Sequence, residues 1–188
     1  MSKIHVINLG TCNIGSVVNM LNFLGINNSV AHERKDLNGA KKIILPGVGS
    51  FDHNVENLHN LEFFEIIKDL VETKKVPILG ICLGMQLFCK TSEEGNKKGF
   101  GFFDAEVTKF KFDNNSKELL VPHMGWNGVK IISKNKLLKV SNNNYRFYFV
   151  HSYHVKCSND SDVMLTTNYG YDFTSGINKK HIYGLQFH

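Results

Sequence analysis

The chain has 188 residues, 42% hydrophobic and 21% charged, which suits one globular domain with its own core. No apolar run approaches the roughly 20 residues that span a bilayer, and the start, MSKIHVINLG, lacks the layout of a secretion signal, so the cytoplasm is the expected compartment. Lysine and arginine exceed the acids by 22 to 17, a formal charge of +5, but they fall in short pairs such as Lys41-Lys42 and Lys179-Lys180, and without a basic stripe nucleic-acid binding is not expected.

Ile4 to Leu9 reads as a short buried strand. Asn13 can cap a helix whose apolar positions are Ile14, Val17, Val18, Leu21 and Leu24, with Gly25 as its stop. Lys42 to Leu45 is a second strand, ended by Pro46-Gly47-Val48-Gly49. Helical spacing returns in Phe63, Phe64, Ile67 and Leu70; Val76 to Ile81 is another strand, and Leu83 to Phe88 begins another helix. Alternating strands and helices predict a parallel sheet with crossover helices. After that the pattern changes. Ala105–Phe112, Val129–Ile132, Arg146–His151, Val163–Asn168 and Ile182–Phe187 are strand-like. The turn-forming clusters Asp113–Ser116, Ser141–Asn144 and Ser158–Ser161 separate them, so antiparallel strands are expected to join the parallel half.

Gly80-Ile81-Cys82-Leu83-Gly84 carries the sharpest chemical signal. It matches a strand–nucleophile–helix elbow, with cysteine at the nucleophile position. Small residues on either side relieve crowding in a tight turn, and the Leu83 N–H can donate to a developing oxyanion. The start of the following helix is expected to favour the thiolate. Pro46 to Phe51 is a weaker signal: glycines after a strand leave N–H groups free to approach a ligand, or simply make a turn. Of the other cysteines, Cys12, Cys89 and Cys157 form no CxxC pair and read as small hydrophobes. Nine histidines raise the question of metal, but no HExxH or Cys/His ligand spacing is present. His151 and His154, three apart in a strand-like stretch, should point to opposite faces, and most of the remaining histidines should lie on the surface.

The motifs PGVGSF, GICLGMQLF, SEEG, PHMGWN, YFVHSYHV and GLQFH occur in that order along essentially the whole chain. The series resembles the class I, triad-type glutamine amidotransferases and, among them, the branch of glutaminase subunits of imidazole glycerol phosphate synthase. The resemblance implies a flavodoxin-like three-layer α/β fold: a mixed, mostly parallel central sheet with helices on both faces and an antiparallel portion in the second half. One glutaminase domain over residues 1–188 is expected. Cys82 corresponds to the nucleophile and His188 to its general base. Gly47, Val48 and Gly49, with Leu83, correspond to the oxyanion hole. Gln86, Glu94, His151, Ser152 and Tyr153 correspond to positions around bound glutamine. Asn13, Trp126 and Tyr148 correspond to positions facing a (β/α)8 barrel cyclase, the expected heterodimer partner and consumer of ammonia. No cofactor or metal is implied.

Two departures accompany the likeness. The family's third triad member is a glutamate two residues beyond the matched histidine, past the last residue given, and a C-terminal truncation is the expected reason. Thr11-Cys12 replaces the more usual glycine-containing pair in the partner-facing loop. Three other readings compete with the histidine-pathway one. Asn13–Val17 and Asp172–Gly176 resemble paralogues that supply ammonia for amidino sugars of surface polysaccharides. A non-catalytic partner-binding subunit would keep the fold without the reaction. A cysteine peptidase of similar topology is disfavoured by Gln86 and the VHSY segment.

Overall fold

The computed structural model describes residues 3–112, 119–138 and 145–188. Strand β1 (Ile4–Ile7) sends Val6 and Ile7 to opposite faces, and both are fully buried, as in a strand sandwiched between layers. Helix α1 (Gly15–Phe23) follows. Asn13 Oδ1 accepts the Gly15 N–H at 3.1 Å, satisfying one of the donors a helix start leaves over. The chain turns out of α1 at Gly25, where φ is +66°, a left-handed conformation that costs glycine nothing. Strand β2 (Asn28–Ala31), not apparent in the sequence pattern, pairs in parallel with β1.

Strand β3 (Ile43–Gly47) leads into helix α2 (Phe51–Asn60), then helix α3 (Phe63–Lys68), strand β4 (Ile78–Cys82) and the one-turn helix α4 (Leu83–Gln86). Helix α2 also escaped the sequence reading. Its buried Phe51, Val55 and Leu58 recur at helical spacing, but the polar residues between them hide the run. Short strand β5 (Thr91–Ser92) and strands β6 (Ala105–Lys109), β7 (His123–Ile131), β8 (Tyr145–His151), β9 (Tyr153–Cys157), β10 (Val163–Tyr169), β11 (Tyr171–Lys179) and β12 (Ile182–Leu185) complete the described strands. Strand β9 was missed because only Ser152 separates it from β8, and β11 because its sequence, YDFTSGINK, is polar. The Ser158–Ser161 turn is present, with Asn159 Oδ1 accepting the Ser161 N–H at 3.1 Å. The other two turn clusters, at 113–116 and 141–144, lie outside the described residues.

The main path of the sheet runs β2-β1-β3-β4-β12-β11-β10-β7-β8. It is parallel from β2 to β12 and antiparallel from β12 onward. Strand β9 pairs with β11 and with β6, adding a branch. The mixed α/β sheet expected from the sequence is therefore present, with a larger antiparallel part than the strand-like segments suggested. Val6 and Ile44 face α1 together with Leu21, whereas Ile7, Ile43 and Leu45 face α2 and α3, so helices cover both sides. Under the antiparallel half lies a second core of Phe110, Phe149, Phe173 and Phe187 with Val129, Met164 and Leu165. Fully burying each such aromatic is worth about 1.5–3 kcal/mol. Strand β12, the last in sequence, lies between β4 and β11, which brings the end of the described chain beside the end of β4.

Candidate active site

Close backbone packing makes the bend at Cys82 possible. A Cβ on Gly80 would lie 2.6 Å from the carbonyl carbon and oxygen of Gly84, and one on Gly84 would collide with the Leu45 carbonyl of β3. Glycine at both positions lets α4 start directly on top of the sheet. Cys82 itself has φ 55° and ψ −112°, well away from the regions comfortable for an L residue. Such a conformation costs of order 1–3 kcal/mol and is retained where it aims a side chain. The aim here is a cavity of about 370 Å³ at the carboxyl ends of β4 and β12.

Ten of the residues singled out from the sequence line that cavity: Cys82, His188, Val48, Gly49, Leu83, Gln86, Glu94, His151, Ser152 and Tyr153. Pro122 and Val150 complete the wall. Gly47 does not line it. It ends β3 in register with Cys82, and a Cβ there would lie 3.1–3.2 Å from Gly84 N and Leu83 Cβ, so its role is to let the elbow close. Asn13, Trp126 and Tyr148 also lie outside the cavity wall. Trp126 and Tyr148 are cross-strand neighbours on β7 and β8, packed edge to face at 6.2 Å, and Trp126 is 66% exposed.

The sulfur is held as a thiol. Burial pushes the Cys82 pKa up to about 11, against smaller opposing contributions from the Leu83 N–H and the Gln186 amide. The expected help from a helix start is not realised, because α4 is a single turn and desolvation outweighs it. His188 is exposed on one side, but partial desolvation lowers its pKa, favouring the neutral imidazole that can take up a proton. A backbone bond from His188 N–H to Tyr148 O at 2.9 Å ties this residue to β8. The resting pair is thus a neutral thiol and a neutral base facing one cavity.

Several supporting groups were not found from sequence. Gln186 is fully buried; its Nε2 lies 3.6 Å from Cys82 Sγ, and its Oε1 accepts from Gln86 Nε2 at 3.0 Å. Its place in the GLQFH motif, one position before a buried phenylalanine, was the available signal. Asn54 is also fully buried and donates to the carbonyls of Val48 at 2.9 Å and Ser50 at 3.0 Å, while accepting from Thr11 Oγ1 at 2.8 Å. It fixes the Val48–Gly49 turn, where Gly49 has φ +89°. Glu94 reaches back to accept the Phe51 N–H at 2.8 Å, capping α2 from a distant loop.

His32, His53 and His59 are exposed, as expected, but His5, His123, His151 and His154 are buried. His151 and His154 do not face opposite ways: both rings pack on Phe110, at 5.2 and 4.7 Å, and on Phe173, at 5.2 and 5.7 Å. Ser152 breaks the strand between β8 and β9 and resets the alternation.

A model of the family "Glutamine amidotransferase class-I" matches residues 6–188. The chain is 46% identical over 185 residues to "Imidazole glycerol phosphate synthase subunit HisH 2" of Methanococcus maripaludis, spanning 98% of this chain and 90% of that protein. It is 42% identical over 185 residues to the corresponding HisH subunit of Leptospira borgpetersenii, spanning 98% and 91%. Among solved structures, a glutamine amidotransferase superposes with TM-score 0.76 at 15% identity, covering 98% of this chain and 89% of the other, a likeness of fold. The strained cysteine, the glycine-packed elbow and a family match over nearly the full length lead to one conclusion: the chain belongs to the class I glutamine amidotransferases.

Proposed function

We propose that this chain is the glutaminase subunit of imidazole glycerol phosphate synthase, hydrolysing glutamine to glutamate and ammonia for a synthase partner in histidine biosynthesis. The observation that carries the reading is the shared cavity, in which a strained Cys82 and a neutral His188 face the same space beside the Leu83 N–H and the Val48–Gly49 turn. Similarity to HisH subunits at 42–46% identity supports the choice of branch.

Glutamine's amide enters beside Cys82, and the sulfur transfers its proton to His188 as it attacks the carbonyl carbon. The N–H groups of Leu83 and Gly49 receive the oxyanion. His188 returns the proton to the departing nitrogen, ammonia leaves, and a glutamyl thioester remains. Water, deprotonated by His188, then attacks the thioester and releases glutamate and the free thiol. Gln86, Glu94, Ser152 and Tyr153 shape the pocket for the amino-acid end, together with His151. The partner is a (β/α)8 barrel cyclase in a cytoplasmic heterodimer, seated against Trp126, Tyr148 and Asn13. Enclosed transfer matters because ammonia in bulk water becomes ammonium, which is no nucleophile.

The test is glutamate release from glutamine with the barrel subunit present, comparing the chain with Cys82→Ala. Release should fall to background in the variant; equal rates in both would defeat the proposal.

A further inference from the structure

The antiparallel half contains a line of hydrogen bonds that ends on the nucleophile. Asn127, on β7, donates through Nδ2 to Asn168 O at 2.8 Å and lies 3.2 Å from His123 Nε2. His123 Nδ1 lies 3.1 Å from His151 Nε2, and His151 Nδ1 lies 2.8 Å from the carbonyl of Tyr153. The same carbonyl accepts from Gln86 Nε2 at 3.1 Å, and Gln86 is joined through Gln186 to Cys82 Sγ.

Only one placement of hydrogens satisfies this line with both rings neutral. A carbonyl can only accept, so His151 carries its hydrogen on Nδ1 and leaves Nε2 bare. Nε2 must then receive a hydrogen from His123 Nδ1, which leaves His123 Nε2 bare for the Asn127 amide. Asn127 cannot turn over: its Oδ1 accepts the Gly128 N–H at 2.7 Å while its Nδ2 donates to Asn168 O. Both imidazoles are buried, and burial lowers their pKa values, to about 4 for His123 and about 3 for His151. His123 is also clamped by stacking on Phe149 at 4.9 Å and Tyr169 at 4.1 Å, which fixes the plane of its ring.

We propose that His123 is a positioning residue for the glutaminase reaction, holding His151 and through it the Tyr153 carbonyl, the anchor of the Gln86–Gln186 pair against Cys82. This rests on the glutaminase reading above. His123 does not line the cavity, so its influence runs through the bonded line.

Two measurements test it. Nitrogen-15 NMR of histidine-labelled protein reads the tautomers without any substitution: both His123 and His151 should be Nδ1–H forms, the less common form for free imidazole. An Nε2–H form at either ring overturns the line. Kinetics with the barrel subunit compare His123→Phe, which keeps a ring but offers no donor, with His123→Asn, whose amide nitrogen can occupy the place of Nδ1. His123→Phe should lower kcat for glutamine at least tenfold with KM changed less than threefold, and His123→Asn should recover most of the loss. Equal losses in both, or an unchanged kcat in His123→Phe, would refute the positioning role. Failure of the parent chain to hydrolyse glutamine, with the tautomers as expected, would instead reject the glutaminase reading.

Discussion

The state of the Cys82 thiol gives a quantitative prediction for the chain without its partner. An ordinary cysteine here would titrate at 9.0, and burial moves it to about 11. Two pKa units correspond to about 2.7 kcal/mol against the thiolate and about a hundredfold less of it at any pH below the shifted value. At pH 7 only about one chain in 10⁴ should carry the anion. The perturbation is pH, and the assay is iodoacetamide alkylation followed by peptide mass spectrometry, which separates Cys82 from Cys12, Cys89 and Cys157. Folded protein should alkylate at Cys82 with a rate rising about tenfold per pH unit from 7 to 10. In urea, the same peptide should instead level off above about pH 9. The slope separates ionisation from simple shielding, since shielding lowers the rate equally at all pH values. A Cys82 rate that is flat between pH 7 and 9 in the folded chain would show a preformed thiolate and refute the dominance of desolvation.

Other outcomes follow from the same structure. His123 and His151 have lowered folded-state pKa values, so their contribution to stability is intact above the unfolded value near 6.5 and is lost as pH falls toward 4 and 3. At pH 5 each should already cost about 2 kcal/mol, seen as a lower urea midpoint than at pH 7.5; an unchanged midpoint would contradict their neutrality. Gly84→Ala forces a methyl into the Leu45 carbonyl and should destabilise by at least the ~1–3 kcal/mol of ordinary overpacking, measured by thermal melting, and abolish glutaminase activity. Asn54→Ala frees the Val48 and Ser50 carbonyls and should reduce kcat about tenfold with the fold retained by circular dichroism. If the proposed barrel partner sits against the exposed Trp126, Trp126→Ala should weaken that association in calorimetry with little change in melting temperature.

The sequence disclosed the parts of this site that depend on local chemistry. The elbow was legible because glycines flank Cys82 within five residues, and the Val48–Gly49 turn because it follows an apolar strand. What stayed hidden depends on distant partners. Gln186 and Asn54 look like ordinary polar residues until the sheet brings them under the sulfur and the turn. His151 and His154 were expected on opposite faces because a single residue, Ser152, resets the alternation from which their facing was judged, and His123 carried no local signal of burial. Among the elements missed, β2, α2 and β11 have apolar positions diluted by Asn, Asp, Ser and Thr, so their period is set by tertiary burial more than by composition, whereas β9 was hidden by its nearness to β8.

The seating of β12 between β4 and β11 has a consequence for how activity appears during synthesis. Until β12 is translated, β4 and β11 each offer an open edge, the Gln186 amide has not reached the sulfur, and His188 has not reached the cavity. Pairings this remote in sequence are slow, because the chain must give up loop entropy before any contact repays it. A growing polypeptide should therefore carry an inert cysteine until β12 emerges, and competence should arrive in one zipping event.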